Sequence, residues 1–305
     1  MSAGMMDEVE AFIEMNIART PPFPLRSPEG LRARADAVRN HAKTAYGLIS
    51  EAGVDVRGLD ELAKQGADAR HARTEKERLR AIEASAAAGN WLSEHHPVMP
   101  DDPGATDLVI DQVTFIRTFG AGDLLTDWNI SSLHSWARYR LHASSETVEH
   151  VGQGRLSFFI LWRNPSTRAI VASVGPRIIV NAYVAVEAEW QGVADWFFGG
   201  SEARGTVRVR TTVWAMWDPS VSGVVSDVIL GSAGATGGFF GGDDSISLAV
   251  NQWVPGTGFS VPGHASILIE VSLLTDYNVT NGSLDLDAAS GDFQIWLPFL
   301  RIRTV

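Results

Sequence analysis

The sequence contains no cysteine, which excludes disulfide bonds, a thiolate nucleophile and cysteine-ligated metal sites. No lysine follows Lys76, and the Walker A, HExxH and GxSxG motifs are all absent, as is a GxGxxG fingerprint after a strand. Without these motifs, the sequence gives no support for the common nucleotide-binding and hydrolase functions. We therefore predict that the protein is not an enzyme and uses no cofactor.

Long hydrophobic runs are also lacking. No apolar stretch approaches the roughly 18 to 20 residues that a helix needs to cross a bilayer. The segment Met1 to Glu10 is acidic and has no basic region followed by an apolar stretch, so it does not resemble a secretory signal. We expect a cytoplasmic protein, and export by a route that reads no N-terminal peptide stays open.

Positive charge is scarce in the larger part of the chain. The formal net charge is -11, and residues 101–305 carry 12 arginines against 21 aspartates and glutamates. Such an excess of negative charge repels a phosphate backbone. The sequence therefore predicts that nucleic acid is not a partner.

The composition changes near residue 100. Residues 1–96 are rich in alanine, arginine and glutamate with apolar positions at helical spacing, whereas nine of the ten tryptophans and most of the alternating segments lie later. Residues 97–104 contain three prolines, which is typical of a linker. We predict a helical module over 1–96, a linker over 97–104 and a second domain over 105–305.

The first module shows two helical patterns. Apolar residues recur at three- and four-residue steps over Asp7 to Ile17, and a proline-rich connector follows. From Leu31 to Ile49 small apolar residues follow a 4-3-4-3-4 spacing, which is typical of a closely packed helical seam. A further helix is expected after Gly53, with an interruption at Gln65-Gly66. The module is predicted to be a helical hairpin that docks on the second domain or on another copy of itself.

The second domain is predicted to be an antiparallel β-sandwich of the jelly-roll type, which gives an α+β chain overall. About ten segments alternate between apolar and polar residues without an intervening helical pattern. In Thr206 to Trp217 the valines share one face and Arg208 and Arg210 the other. In Ala265 to Thr275 the apolar residues likewise face away from Glu270 and Ser272, which we expect to face solvent.

Two aromatic segments, 196–200 and 239–242, each end in a pair of glycines. Paired glycines favour turns, so we expect the aromatic residues to lie at the tips of loops. If both tips emerged at one end of the sandwich, they would form an exposed apolar patch suited to a protein, a sugar ring or a membrane. The alternative is that each string buries one ring in the core. The glycine-rich run Gly231 to Gly242 predicts that the second loop is long. The candidate binding residues are Trp196, Phe197, Phe198, Phe239 and Phe240.

A row of polar and aromatic side chains lies on one face of the predicted strand Leu133 to Leu141. It contains Trp136, Arg138 and Arg140, with His134 and His142 at its ends. Such a row is suited to binding anions or sugars. Alternation shows which side these residues occupy but not what covers them, so an exposed face and a face covered by the helices are equally compatible.

Acidic residues supply weaker candidates. Asp285 and Asp287 point the same way in an extended segment, and with Asp292 they offer oxygen ligands for Ca²⁺. The alternative is an acidic hairpin loop with Asn281-Gly282 at its turn. The carboxylates of Glu187, Glu189 and Glu270 are further candidates for acid chemistry, although alternation alone accounts for their positions.

These patterns favour a non-enzymatic binding or assembly protein that associates with a protein partner or with itself. Two alternatives stay open. One is a membrane-acting protein whose aromatic tips contact lipid, and the other is a carbohydrate-binding or carbohydrate-active sandwich. The tryptophans and paired carboxylates support the last of these.

Overall fold

The computed structural model describes residues 3–17, 37, 40, 43–44, 46–94, 106–120, 123–132, 135–146, 149–189, 200–237 and 241–304. Helices come first: α1 (Ala3–Phe12) continues into a π-helical turn (Ile13–Ile17), and residues 46–51 precede the long helix α2 (Val56–Glu94). The predicted linker over 97–104 and most of the predicted Leu31 to Ile49 seam lie outside the described residues. Where a break was expected at Gln65-Gly66, α2 is continuous.

Strands make up the rest of the described chain. They are β1 (Thr106–Ile110), β2 (Phe115–Phe119), β3 (Asp123–Asn129), β4 (Ser135–Ser145), β5 (His150–Arg163), β6 (Ile170–Ala188), β7 (Glu202–Ala215), β8 (Gly223–Thr236), β9 (Gly242–Trp253), β10 (Gly258–Val261), β11 (Ser266–Thr280), β12 (Gly282–Ala288) and β13 (Gln294–Thr304). A short 3₁₀ turn, Pro219–Val221, joins β7 to β8.

The strands form two antiparallel sheets. Sheet A has eight strands, in which β12 and β13 lie between β4 and β6, β3 pairs with the free edge of β4, and β9 and β10 pair with the far edge of β6. Sheet B has five strands in the order β2-β5-β11-β7-β8. Their inner faces share one apolar core, built from alternate residues of each strand. The predicted antiparallel β-sandwich with an N-terminal helical region is confirmed.

Strand β6 is the longest, with 19 residues. The alternating segments Arg168 to Val174 and Arg177 to Glu189 predict two strands separated at Gly175-Pro176, but a single strand runs through both. The carbonyl of Pro176 accepts a hydrogen bond from the backbone N–H of Val254, and β13 pairs with the other edge of the strand. The missing N–H of one proline is therefore tolerated because the neighbouring strands on both sides hold the segment extended.

Helix α1 and its π-helical turn cover the outer face of sheet B. Val9, Phe12, Ile13 and Ile17 are buried there in an apolar cluster. Their partners on the sheet are Phe115, Phe119, Phe159, Leu161, Trp214, Met216 and Leu268. This face of the sheet is therefore dry near α1.

The covering helix overturns the expectation that Glu270 and Ser272 face solvent, because Glu270 is only 1% exposed. Its carboxylate accepts hydrogen bonds from the hydroxyls of Ser157 (2.7 Å) and Ser272 (2.8 Å) and from the indole N–H of Trp214 (2.9 Å). The guanidinium of Arg155 lies 3.6 Å away. The two-residue alternation of β11 correctly placed Glu270 on the outer face of sheet B. That face is covered by α1 and does not contact solvent here.

Helix α2 lies on the outer face of sheet A. The hydroxyl of Ser85 donates to the carbonyl of Asp292 (3.2 Å), and Ile82 lies above Gly291 in the turn between β12 and β13. A Cβ at Gly291 would lie 2.5 Å from the Ile82 side chain, and this residue has a φ of +58°. Both the close approach of α2 and the left-handed backbone therefore require glycine here.

Two predicted loops are strands in the structure. Asn281 and Gly282 do not close a hairpin, because β11 belongs to sheet B and β12 to sheet A, so the chain crosses between sheets at this point. Asp285 and Asp287 consequently lie within a strand. The first part of the glycine-rich run after Gly231 belongs to β8, which extends to Thr236.

Within the described helices, none is long and apolar enough to cross a membrane.

We predict that Ile13→Ala lowers the free energy of unfolding by about 2 to 5 kcal/mol, because a fully buried side chain leaves a cavity beneath α1. Met15 lies in the same turn but is 59% exposed, so Met15→Ala is the matched control and should change stability by less than about 0.5 kcal/mol. Urea denaturation of both variants measures the difference. Equal stability of the two variants would show that α1 is not docked on sheet B.

Candidate functional site

A cleft of about 510 Å³ lies between α2 and the outer face of sheet A. Residues of α2 form one wall, and side chains from β4, β12, β6 and β9 form the floor. The lining includes five carboxylates, two arginines and two histidines. They are Glu75, Glu187, Asp243, Asp285, Asp287, Arg78, Arg140, His71 and His142. Its volume falls in the range of small-molecule sites, about 300 to 1,000 Å³.

The floor is set by the pairing of antiparallel strands. Asp287 of β12 pairs with Arg140 of β4 on one side and Tyr183 of β6 on the other. In the neighbouring row, Asp285 pairs with His142. Because directly paired residues project to the same side of a sheet, these side chains meet on the outer face. The two-residue alternation of β4 therefore carries Arg140 and His142 into the cleft.

Asp287 connects the helix to the sheet. Arg78 of α2 donates to its carboxylate at 2.8 Å and also pairs with Glu75 at 2.8 Å, one turn earlier on the helix. The guanidinium of Arg140 lies 3.6 Å from the same aspartate. The backbone N–H groups of Ala289 and Ser290 each donate to Asp287 at 3.0 Å. This carboxylate is a structural anchor that holds α2 in place.

These contacts change the acidity of Asp287. Partial burial acts to raise the pKa, but hydrogen bonds from Ser290 and from the backbone of Ala289 and Ser290, with the charge of Arg140, outweigh it. The pKa of Asp287 is therefore below its ordinary value. The carboxylate is therefore ionised at neutral pH.

A second anchor lies at the first residues of β9. Asp243 accepts a hydrogen bond from Arg73 at 2.5 Å and another from Thr74 at 3.4 Å, and Arg70 lies 3.7 Å away. The hydroxyl of Tyr183 donates to the carbonyl of Thr74 at 3.3 Å. Polar contacts therefore hold α2 on sheet A, whereas apolar contacts hold α1 on sheet B.

The open side of the cleft carries groups that do not hold the helix. The Nδ1 atom of His142 lies 2.6 Å from the carboxylate of Asp285, and the two side chains are 61% and 56% exposed. The side chain of Arg140 is 51% exposed and contacts Ser290 at 3.0 Å. These three side chains combine hydrogen-bond donors and acceptors that a ligand can reach from solvent.

Glu187 lines the cleft and pairs with Asp243 of the adjacent strand β9. Burial raises the pKa of Glu187, and the nearby charges of His71 and Arg70 offset only part of that effect. Glu189 lies just beyond β6 and is exposed, so the two glutamates do not form a catalytic pair in the cleft. Glu270 belongs to the other sheet.

The predicted row on β4 is divided in the structure. Trp136 and Arg138 lie on the same outer face as Arg140 but do not line the cleft, and the guanidinium of Arg138 lies 5.7 Å from the Trp136 ring centroid. The predicted aromatic tips, Trp196, Phe197, Phe198, Phe239 and Phe240, lie outside the described residues. The interpretation of these tips as a membrane or partner surface stays a prediction.

The predicted calcium ligands are separated by their contacts. Asp285 pairs with His142, Asp287 pairs with two arginines, and Asp292 is exposed in the turn before β13 and does not line the cleft. In the part of the chain that the structure describes, no group of three or more His, Asp or Glu side chains is placed to hold a metal ion. We do not retain these three aspartates as a metal site.

Sequence patterns missed the wall of the cleft. His71, Glu75 and Arg78 lie on a long charged helix, where any such residue is typical of a solvated face. Tyr183 lies in the middle of an apolar strand. The only available signal was the charge of α2 itself, which is too polar on every side to be explained by apolar packing alone.

We predict that Arg78→Met lowers the free energy of unfolding by about 1 to 3 kcal/mol, because it leaves the largely buried carboxylate of Asp287 without its main partner on α2. Arg80→Met is the matched control, since Arg80 lies on the same helix and is exposed. Amide hydrogen exchange should accelerate along α2 only in Arg78→Met. Unchanged protection in that variant would contradict the proposed anchoring by Asp287.

We also predict that Glu187 makes stability depend on pH. A carboxyl whose pKa is raised on folding binds its proton more tightly in the folded state, so the free energy of unfolding falls as pH rises from the ordinary glutamate value of 4.5 through the raised pKa. Glu187→Gln should remove that loss, whereas exposed Glu83→Gln should not. Urea denaturation between pH 4 and pH 8, roughly the range in which such a carboxyl titrates, tests this. An unchanged pH profile in Glu187→Gln contradicts it.

Comparisons with known proteins find distant structural similarity and no family. No protein-family model matches the chain, and no curated protein gives a significant match. A carbohydrate-binding module described for specific mannan recognition is 10% identical, covering 66% of this chain and 98% of that chain with a TM-score of 0.21. A module in complex with β-1,4-galactotriose is also 10% identical, with coverages of 61% and 91% and a TM-score of 0.15. The infectious bursal disease virus Gx strain gives 10% identity and a TM-score of 0.17, and the match covers 68% of this chain but only 40% of that one. These TM-scores support no argument about function.

Proposed function

We propose that the protein is a non-enzymatic binding protein that holds a neutral saccharide in the cleft between α2 and sheet A. The observation that carries the proposal is the mixture of exposed donors and acceptors formed by Arg140, His142 and Asp285, beside a wall that ion pairs to Asp287 and Asp243 hold in place. A sugar hydroxyl both donates and accepts hydrogen bonds. Adjacent hydroxyls therefore match neighbouring guanidinium and carboxylate groups on one rigid floor.

The charge of the lining favours a neutral ligand over an anion. Five carboxylates and two arginines line the cleft, and Arg70 and Arg73 pair with one of those carboxylates, Asp243. Five carboxylates against four arginines leave a small excess of negative charge, which disfavours an anionic ligand relative to a polyhydroxyl one. The two anchors, Asp287 and Asp243, are paired with Arg78 and Arg73 of α2. The ligand-binding groups are accordingly those on the open side of the cleft.

The geometry also favours binding over a role that needs movement. Asp285 and Arg140 are on strands that pair on both edges, and their side chains contact His142 and Ser290, so they are positioned before a ligand arrives. Side chains held in place before binding lose less conformational entropy when the ligand arrives. A site of this kind supports selective recognition of one saccharide.

We predict that a glycan array of the full chain identifies a neutral saccharide, and that Arg140→Ala and Asp285→Asn each weaken its binding by about 10-fold or more in titration calorimetry, because each removes a charge-assisted hydrogen bond. Arg204→Ala is the matched control: Arg204 is an exposed arginine of β7 that pairs with Glu202. It should bind like the unmodified protein.

Two results would reject the proposal. One is an array without any saccharide bound by the full chain. The other is a bound saccharide whose affinity is the same in Arg140→Ala, Asp285→Asn and Arg204→Ala, since that ligand would occupy a different surface. Circular dichroism of each variant checks that it is folded.

A further inference from the structure

Strand β9 forms a long edge of sheet A. It pairs with β6 from Gly242 to Trp253 at twelve consecutive positions without a shift in register. Among the described strands, none pairs with its other edge, which we call the free edge of β9. An unpaired edge presents a row of backbone N–H and C=O groups to which another strand can bind. Such an edge is normally either protected or occupied by a partner.

Four of the other edge strands that the structure describes are short or irregular. Strands β1 and β2 have five residues each, and β10 has four. The pairing of β3 with β4 is interrupted by a register shift between Leu125 and Asp127. Short length and bulges are two of the devices that prevent one sheet edge from associating with another.

The remaining edge strand, β8, is long but protected along its length. Its pairing with β7 shifts register twice. Near its start the carbonyl of Val225 accepts the backbone N–H of Thr257 at 3.0 Å. Near its end the backbone N–H of Gly234 donates to the carboxylate of Asp244 at 2.9 Å. Part of its free edge is therefore already bonded within the chain.

The segment Ile246 to Gln252 of β9 has none of these protections. It contains no charged residue, no proline and no glycine, and its pairing with β6 is regular. From the described residues, no backbone hydrogen bond other than those to β6 reaches this segment. An uncharged segment of six or seven residues without proline is typical of strands that associate with other strands.

The two faces of this segment are suited to extending the sheet. Ser247, Ala249 and Asn251 are exposed on the outer face, and α2 contacts β9 nearer its start, where Ser245 donates to Glu77 at 3.1 Å. On the inner face Leu248 is buried, and its apolar neighbours on either side pack against the same core. The outer row is therefore small and polar, and the inner row continues the core.

Strand β8 does not take up the free edge. It lies across the core from β9, where a Cβ at Gly231 would be 2.7 Å from the side chain of Ile246. The two strands belong to different sheets and do not pair. The segment also lies outside the saccharide cleft, which β9 lines only through Asp243 among the described residues.

We propose that two copies of the chain associate by antiparallel pairing of their β9 strands along this free edge, centred on Ala249. The uncharged segment is symmetric about that residue. Ala249 of one copy then lies opposite Ala249 of the other, Ser247 lies opposite Asn251, and Leu248 lies opposite Val250. Small and polar side chains meet on the outer face, apolar side chains meet on the inner face, and no like charges are opposed. Sheet A continues from one copy into the next, as in recognition by strand addition.

The association is tested by sedimentation velocity of the full chain over a range of concentrations. The unmodified chain should show a monomer–dimer equilibrium. Ala249→Lys should raise the dimer dissociation constant by about fivefold or more, because two ammonium groups then lie directly opposite each other. Ser232→Lys is the matched control, since Ser232 is an exposed residue of the other long edge strand, β8. It should leave the dissociation constant unchanged.

A mixture of two variants tests the register and excludes misfolding as the cause. Ala249→Glu alone should weaken association in the same way as Ala249→Lys. An equimolar mixture of the two should form a heterodimer at least as stable as the unmodified dimer, because opposite charges then face each other. Recovery in the mixture shows that both variants are folded.

The absence of cysteine allows a covalent test of the same contact. Directly opposed Cβ atoms in an antiparallel pair are about 4.5 to 5.5 Å apart, close to the separation in a disulfide. Mild oxidation of Ala249→Cys should therefore give a disulfide-linked dimer on a non-reducing gel. Ser232→Cys should stay monomeric under the same conditions.

Three outcomes would overturn the proposal. A full chain that sediments as a monomer at every concentration tested has no such interface. A dimer whose dissociation constant is the same in Ala249→Lys and Ser232→Lys uses another surface. A mixture of Ala249→Lys and Ala249→Glu that associates no better than either variant alone rejects the pairing centred on Ala249.

Discussion

Strand β6 fixes the position of the candidate site because its two faces serve different purposes over 19 residues. Its even-numbered side chains, from Ala172 to Ala188, enter the core between the sheets. Its odd-numbered side chains lie on the outer face, where Tyr183 and Glu187 line the cleft. Pairing with β12 and β13 on one edge and with β9 on the other holds these positions in place.

The two outer faces are covered by different physical means. Helix α1 packs on sheet B through apolar side chains. Glu270 is buried beneath this contact, where its carboxylate accepts hydrogen bonds from Ser157, Ser272 and Trp214. Helix α2 docks on sheet A through Asp243 and Asp287, whose arginine partners remain partly solvated. The apolar contact beneath α1 excludes water. The ion pairs beneath α2 leave an open cleft beside them. This difference explains why the candidate binding site adjoins α2 and not α1.

Much of the sandwich was predictable from two-residue alternation, and the failures share one cause. The faces of β7 and β11 agree with the pattern, yet Glu270 is buried because a helix from the start of the chain covers it. Pro176 does not end a strand because partners on both edges hold it extended. Asn281 does not close a hairpin because the next strand belongs to the other sheet. In each case a residue distant in sequence decides the outcome, and local patterns contain no information about it.

The same limit applies to the sites. Alternation correctly placed Arg138, Arg140 and His142 on one face, but the partner that completes the cleft, Arg78, is 209 residues from Asp287 in sequence. No spacing rule connects such positions.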